Sequence, residues 1–136
     1  MRLLLLLMCL TIAVQAADDS NMACVERLEM PTYPPLANAA KVTGQVVALV
    51  TLSADGIRTL ETKSGTGKAH PLLAPTIEKS MRASTFSKDC ADKMVTVVFH
   101  FVQDERLPLP QTAFGYPNQF WIVGVPNLLY VSPTAR

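Results

Sequence analysis

The residues best equipped for chemistry are few: cysteines at 9, 24 and 90 and histidines at 70 and 100. A thiol pair can cross-link, exchange electrons or hold a metal, and each task asks for its own spacing. There is no Cys-x-x-Cys redox pair, and Cys24, Cys90, His70 and His100 are scattered without metal-ligand intervals. Ser64-Gly65-Thr66-Gly67-Lys68 has the look of a phosphate-binding loop but fails in detail. The first glycine of that pattern would fall at Thr62, and Ala69 stands where a hydroxyl must follow the lysine. Catalysis needs a nucleophile, a base and an orienting group together, and two histidines without a nucleophile motif or an evident carboxylate pair do not supply them. A non-enzymatic protein without metal or cofactor is therefore expected.

The first sixteen residues set the context for the cysteines. Arg2 precedes an apolar stretch from Leu3 through Val14, and Val14-Gln15-Ala16 offers a small-residue cleavage site before Asp18 and Asp19. A bilayer core needs roughly twenty apolar residues, and this run is too short for a comfortable span. Residues 1–16 thus read as a cleavable signal peptide, with an uncleaved anchor or a lipid attachment at Cys9 as the alternatives. Its removal takes Cys9 and Arg2 with it and leaves eleven basic residues against eleven acidic ones. Zero net charge offers nothing to nucleic acid or an anionic membrane. In a periplasmic or secreted setting Cys24 and Cys90 are expected to form a disulfide, with two free thiols the alternative. Closing a loop of that length stabilises by about 4 kcal/mol in the chain-entropy model.

The elements that would position these residues follow from periodicity and punctuation. After a polar leader over residues 17–29, Met30-Pro31-Thr32-Tyr33-Pro34-Pro35 must run extended, and Leu36 to Lys41 reads as a short helix ending before Gly44. Val46, Ala48, Val50 and Leu52 recur with period two, Asp55-Gly56 signals a hairpin, and a second strand follows from Ile57 to about Lys63. Ile57 and Leu60 are three apart where alternation wants two, which suggests a bulge. Residues 64–68 read as a flexible loop, and 71–83 as the main helix, with Leu73, Ile77, Ser80 and Met81 on one face. Residues 94–102 form the clearest strand, with Val95, Val97, Phe99 and Phe101 alternating against Thr96, Val98, His100 and Val102. His100 is then a side chain on the less apolar face rather than a ligand. From 105 to 136 prolines interrupt apolar pieces, so 120–123 and 128–131 are expected as edge or irregular segments of a tail packed on the domain.

These pieces give an α+β fold: a small three-stranded antiparallel sheet with two helices on one face, plus an apolar, proline-containing C-terminal tail. Tyr33-Pro34-Pro35-Leu36-Ala37, the run from Gly44 to Leu52, Asp55-Gly56, Ser64-Gly65, Leu72-Leu73, Phe86 and the strand from Val95 resemble, in order, the C-terminal domain of TonB-like proteins. The resemblance spans about residues 30–103, so the domain is placed at 30–104 and the tail at 105–136. It departs at Ser84, where the family commonly has tryptophan, and in lacking the long spacer of the anchored energy transducers.

The resemblance implies capture of a short peptide from an outer-membrane transporter by strand addition. The strand carrying Val95, Val97, Phe99 and Phe101 is the expected peptide-binding edge. The opposing expectation is a stand-alone periplasmic or secreted structural or inhibitory protein without transport coupling, its sheet edge covered by its own tail. In that reading Tyr116, Phe120, Trp121 and Tyr130 make the tail contacts, since Trp and Tyr dominate interface energetics.

Overall fold

Two runs of alternating apolar residues decide the centre of the molecule. The computed structural model describes residues 19–126 and comprises β1 (Val25–Arg27), α1 (Pro35–Ala39), β2 (Gly44–Ser53), β3 (Gly56–Ser64), β4 (Gly67–Lys68), α2 (Ala74–Ala83), β5 (Thr85–Phe86), β6 (Met94–Gln103), β7 (Gln111–Gly115) and β8 (Gln119–Gly124). β2 and β6 pair antiparallel and set Val46, Ala48 and Val50 opposite Phe99, Val97 and Val95. With Leu52 and Phe101 these side chains are fully buried together with Leu73, Ile77 and Met81 of the α2 region. Apart from Ala48, each such burial stabilises by about 1.5–3 kcal/mol relative to exposure. Pro75 sits in the first turn of α2, where an amide has no helical acceptor to lose.

The β2–β3 hairpin closes at the Ser53–Gly56 pair, with Gly56 at φ 128°, a backbone angle that favours glycine. The register slips between Thr51, opposite Thr59, and Leu52, opposite Ile57, which leaves Arg58 as the extra residue. That slip is why Ile57 and Leu60, three apart in sequence, share the inner face opposite Leu52 and Val50. Residues 64–68 form a tight turn and a two-residue strand on β3, and α2 begins at Ala74 after a turn at 71–73.

The expected three-stranded sheet is overturned: the main sheet has six strands in the order β4-β3-β2-β6-β8-β7, and β1 and β5 form a separate two-stranded sheet. The cause is where the prolines fall. Pro108 and Pro110 precede β7, Pro117 lies between β7 and β8, and Pro126 follows β8, so they bound strands instead of breaking them. β8 pairs parallel to β6, from Val98 with Gln119 to Gln103 with Gly124. A parallel neighbour needs a long connection, and residues 104–118 supply it while contributing β7 as an antiparallel outer strand.

The segment before α1 is tied down along its length. Cys24 and Cys90 are disulfide-bonded with Cα atoms 5.8 Å apart, closing a sequence separation of 66 residues. The disulfide is compatible with an oxidising, exported location. Ser80 donates its hydroxyl to the Glu29 carbonyl, and the Ser84 hydroxyl accepts from the Glu29 amide at 2.9 Å. At the far end buried Asn38 donates to the Val125 carbonyl at 2.9 Å and accepts from Gln103 at 2.9 Å, clasping α1 to the ends of β8 and β6. Among the described residues no helix is long and apolar enough to cross a membrane. The leader 1–16 and the apolar piece 128–131 with Tyr130 lie outside the described residues.

Candidate interaction edge

A sheet can accept another chain only where its edge groups are unpaired, so the pairing of each outer strand locates the site. The strand expected to offer that edge, β6, is occupied from end to end by its own chain. Asn21 donates to the Met94 carbonyl at 2.7 Å, and the Thr96 amide donates to the Ser20 carbonyl at 3.0 Å. Asn118 donates its side-chain amide to the Thr96 carbonyl at 2.9 Å and accepts the Val98 amide at its own carbonyl at 2.9 Å. From Val98 onward β8 takes over. Val95, Val97, Phe99 and Phe101 all point into the core.

The outer positions fall instead to β7 on one side and to β3 with β4 on the other, and these two edges differ in kind. β3 carries Arg58, Glu61 and Lys63, is kinked by the bulge at Arg58, and is overlaid at Lys63 and Ser64 by β4 with Lys68. Arg58 reaches back to Asp92 at 2.7 Å. Charges, a bulge and a short covering strand are the devices that keep an edge from pairing with other chains. β7 has none of them. Its residues Gln111, Thr112, Ala113, Phe114 and Gly115 are uncharged, its ladder to β8 is regular, and among the described residues no strand lies on its outer side.

β7 is anchored on both faces by aromatic contacts. On the inner face Phe114 lies 5.0 Å from Phe120, which stacks on Phe99 at 5.8 Å and so links the outer strand to the core. On the outer face Trp121 stacks on His100 at 4.8 Å with 14° between planes, and His100 shares a 2.8 Å hydrogen bond with Gln119. Trp121 leans over Gly115 so closely that a Cβ there would meet its ring at 2.5 Å. Of the aromatic residues expected in tail contacts, Phe120 and Trp121 therefore pack within the sheet. Tyr116, 83% exposed, and Phe114, 59% exposed, stand out at its margin.

Two grooves flank β7 on the inner face, beneath which the N-terminal segment passes. One, of about 500 Å³, is lined by Pro31, Tyr33, Pro35, Pro110, Thr112 and Ile122 among others. The second, of about 410 Å³, is lined by Met22, Val25, Leu28, Met30, Phe114, Pro117 and Phe120. Burial raises the pKa of Tyr33 above the usual phenol range. Its hydroxyl donates to the Val42 carbonyl and its ring meets Phe101 edge-on at 5.3 Å. At the start of the connection into β7, Asp104 grips Arg106 with both carboxylate oxygens at 3.0 and 3.1 Å. The side-chain hydrogen bond from Arg106, with a further one from its backbone amide, holds the Asp104 carboxyl below its ordinary pKa.

The polar side chains with catalytic potential are engaged separately. His70 accepts the Leu72 amide at 3.1 Å in the turn before α2, whereas His100 belongs to the aromatic layer on β6 and β8. Among the described residues no group of three or more His, Cys, Asp or Glu could hold a metal ion. Sequence reasoning did not find β7, because Gln-Thr-Ala-Phe-Gly has no alternating apolar pattern. The available signal was its bracketing by Pro110 and Pro117. No family model matches the chain, and neither the curated proteins nor the solved structures contain a match to it.

Proposed function

We propose that this chain is an exported, non-catalytic protein-interaction module that captures an extended segment of another protein by strand addition at β7. The observation that carries the reading is the asymmetry of the two edges: charged, bulged and overlaid at β3, uncharged and unpaired among the described residues at β7. Main-chain hydrogen bonds at such an edge give affinity for an extended backbone of varied sequence. Within the order α1-β2-β3-β4-α2-β5-β6, the helix, hairpin, helix and long strand follow in the succession on which the resemblance to TonB-like C-terminal domains rests, and this supports the reading. Kinship with that family, and an outer-membrane transporter as the partner, belong to the same proposal. The occupation of β6 by β8 moves the receiving edge outward to β7.

Photo-crosslinking in cells that export the chain tests this. A photoreactive residue replacing Thr112 should trap a partner protein, and the same residue replacing Arg58 should not. Equal trapping at both positions, or at neither, overturns the reading and favours a stand-alone structural module.

A further inference from the structure

Resting on the reading of β7 as the receiving edge, we infer that the captured segment is uncharged and carries two large apolar side chains at positions i and i+2. Thr112 and Phe114 share the inner face of β7, opposite Ile122 and Phe120 of β8, while Gln111, Ala113 and Gly115 share the outer face. Thr112 lines one groove and Phe114 the other. A strand added beside β7, in either direction, places every second side chain on that inner face, spaced by about 7 Å, the same two-residue interval that separates Thr112 from Phe114.

The linings specify the chemistry. None of the residues around either groove carries a charge at neutral pH, and neither does any residue of β7. A charged side chain placed there would lose water without gaining a partner. The groove at Phe114 offers the thioethers of Met22 and Met30 with the rings of Phe114 and Phe120, a surface that suits an aromatic ring. The groove at Thr112, walled by Pro31, Tyr33, Pro35, Pro110 and Ile122, suits a branched aliphatic side chain or a second ring. On the outer face the intervening residue i+1 falls beside Ala113, which lines neither groove, so neither groove selects its type.

The test uses the full chain and two uncharged nine-residue Thr/Ser host peptides, each with one Phe and one Leu. In one peptide these stand two apart; in the other they are adjacent and so face opposite sides. Titration by fluorescence anisotropy should show the two-apart peptide binding at least about tenfold more tightly. The exposed-site variants Thr112→Lys and Phe114→Lys, checked for retained folding by circular dichroism, should each erase that preference. Equal binding of both peptides overturns the side-chain inference and leaves strand addition intact. Absence of binding by either peptide overturns the inference, and the Thr112 crosslink then decides separately whether β7 receives a partner at all. Concentration-dependent self-association that Phe114→Lys abolishes would make a second copy the occupant and would also overturn it.

Discussion

The two margins of the main sheet solve the same problem in opposite ways. At β3 the chain spends Arg58, Glu61, Lys63, a bulge and the overlying β4 on an edge that then has little left to offer another backbone. At β7 it leaves five uncharged residues without a described neighbour and spends its aromatic residues on holding that strand in place. The local composition carries this difference, since no charged residue stands between Arg106 and Arg136, the stretch that holds β7 and β8. An unprotected edge is a liability unless something pairs with it, and among the described residues β7 is the edge that carries neither charge, bulge nor covering strand.

The strongest way to break the comparison is to release the floor beneath β7. The disulfide pins the N-terminal segment whose Met22, Val25, Leu28 and Met30 wall one groove. Paired Cys24→Ser and Cys90→Ser substitutions should destabilise the protein by about 2–5 kcal/mol. Denaturant unfolding with and without reductant measures this. Hydrogen exchange in the folded double variant should rise more at β7 and β8 than in the β2–β3 hairpin.

A smaller and more local effect separates the edges directly. Gly115→Ala puts a Cβ 2.5 Å from a ring atom of Trp121, closer than any real contact, so Trp121 must leave its stack on His100 or β7 must shift. Gly65→Ala, in the turn beside β3, meets only the Gln45 side chain at 3.5 Å, an ordinary contact. The first should cost about 1–3 kcal/mol by overpacking and the second less than about 0.5 kcal/mol. Tryptophan fluorescence should change in the first variant alone. Equal costs would mean that the aromatic anchoring of β7 contributes nothing.

How much of this was legible in the sequence depended on whether a signal was periodic. Val46 to Leu52 and Val95 to Phe101 alternate because one face of each strand is wholly buried, and the hairpin announced itself at Asp55-Gly56. The Ile57–Leu60 spacing pointed to the bulge because an inserted residue must disturb alternation. Beyond Glu105 the periodic signal stops. β8 carries apolar side chains on both faces, with Ile122 buried on one and Trp121 and Val123 half-buried on the other, and β7 overhangs the core, so neither shows a clean alternation, and the prolines that delimit them read as interruptions. Long-range pairing of β8 with β6 has no local signature either. A parallel partner is chosen by the geometry of the connection and the packing of Phe120 and Ile122, not by turn chemistry.

Tyr33 lets the groove wall be examined by pH as well as by mutation. Its phenol is buried and its pKa is raised, so in the folded protein it keeps its proton at a pH where the unfolded chain has begun to lose it. Its contribution to stability is therefore complete below a pH of about 10, the unfolded value, and is lost as pH climbs through the higher folded value. Tyr33→Phe removes the donor to the Val42 carbonyl and should cost about 1 kcal/mol at neutral pH. The variant should also flatten the alkaline limb of a thermal-stability profile. An unaltered alkaline limb would show that the ring is not held where the groove requires it.

The smallest effect contrasts two ion pairs, one near each edge. Arg58 and Asp92 meet through one contact at 2.7 Å with both side chains more than half exposed, an arrangement that solvent screens to little. Asp104 instead receives two contacts from the Arg106 side chain and one from its backbone amide at 3.0 Å. These bonds favour the carboxylate and lower its pKa in the folded state. The stability they add is present above the unfolded value, about 3.9, and disappears as pH falls through the lower folded value. Asp104→Asn should thus reduce the drop in melting temperature between pH 5 and pH 2.5 by a small but measurable amount. Asp104 also donates its amide to the Gly124 carbonyl at 3.0 Å, so its side-chain grip on Arg106 lies where the chain leaves β6 for β7. If Asp104→Asn leaves both the acid limb and β7 hydrogen exchange unchanged, the turn does not steer the open edge, and its placement rests on the aromatic layers alone.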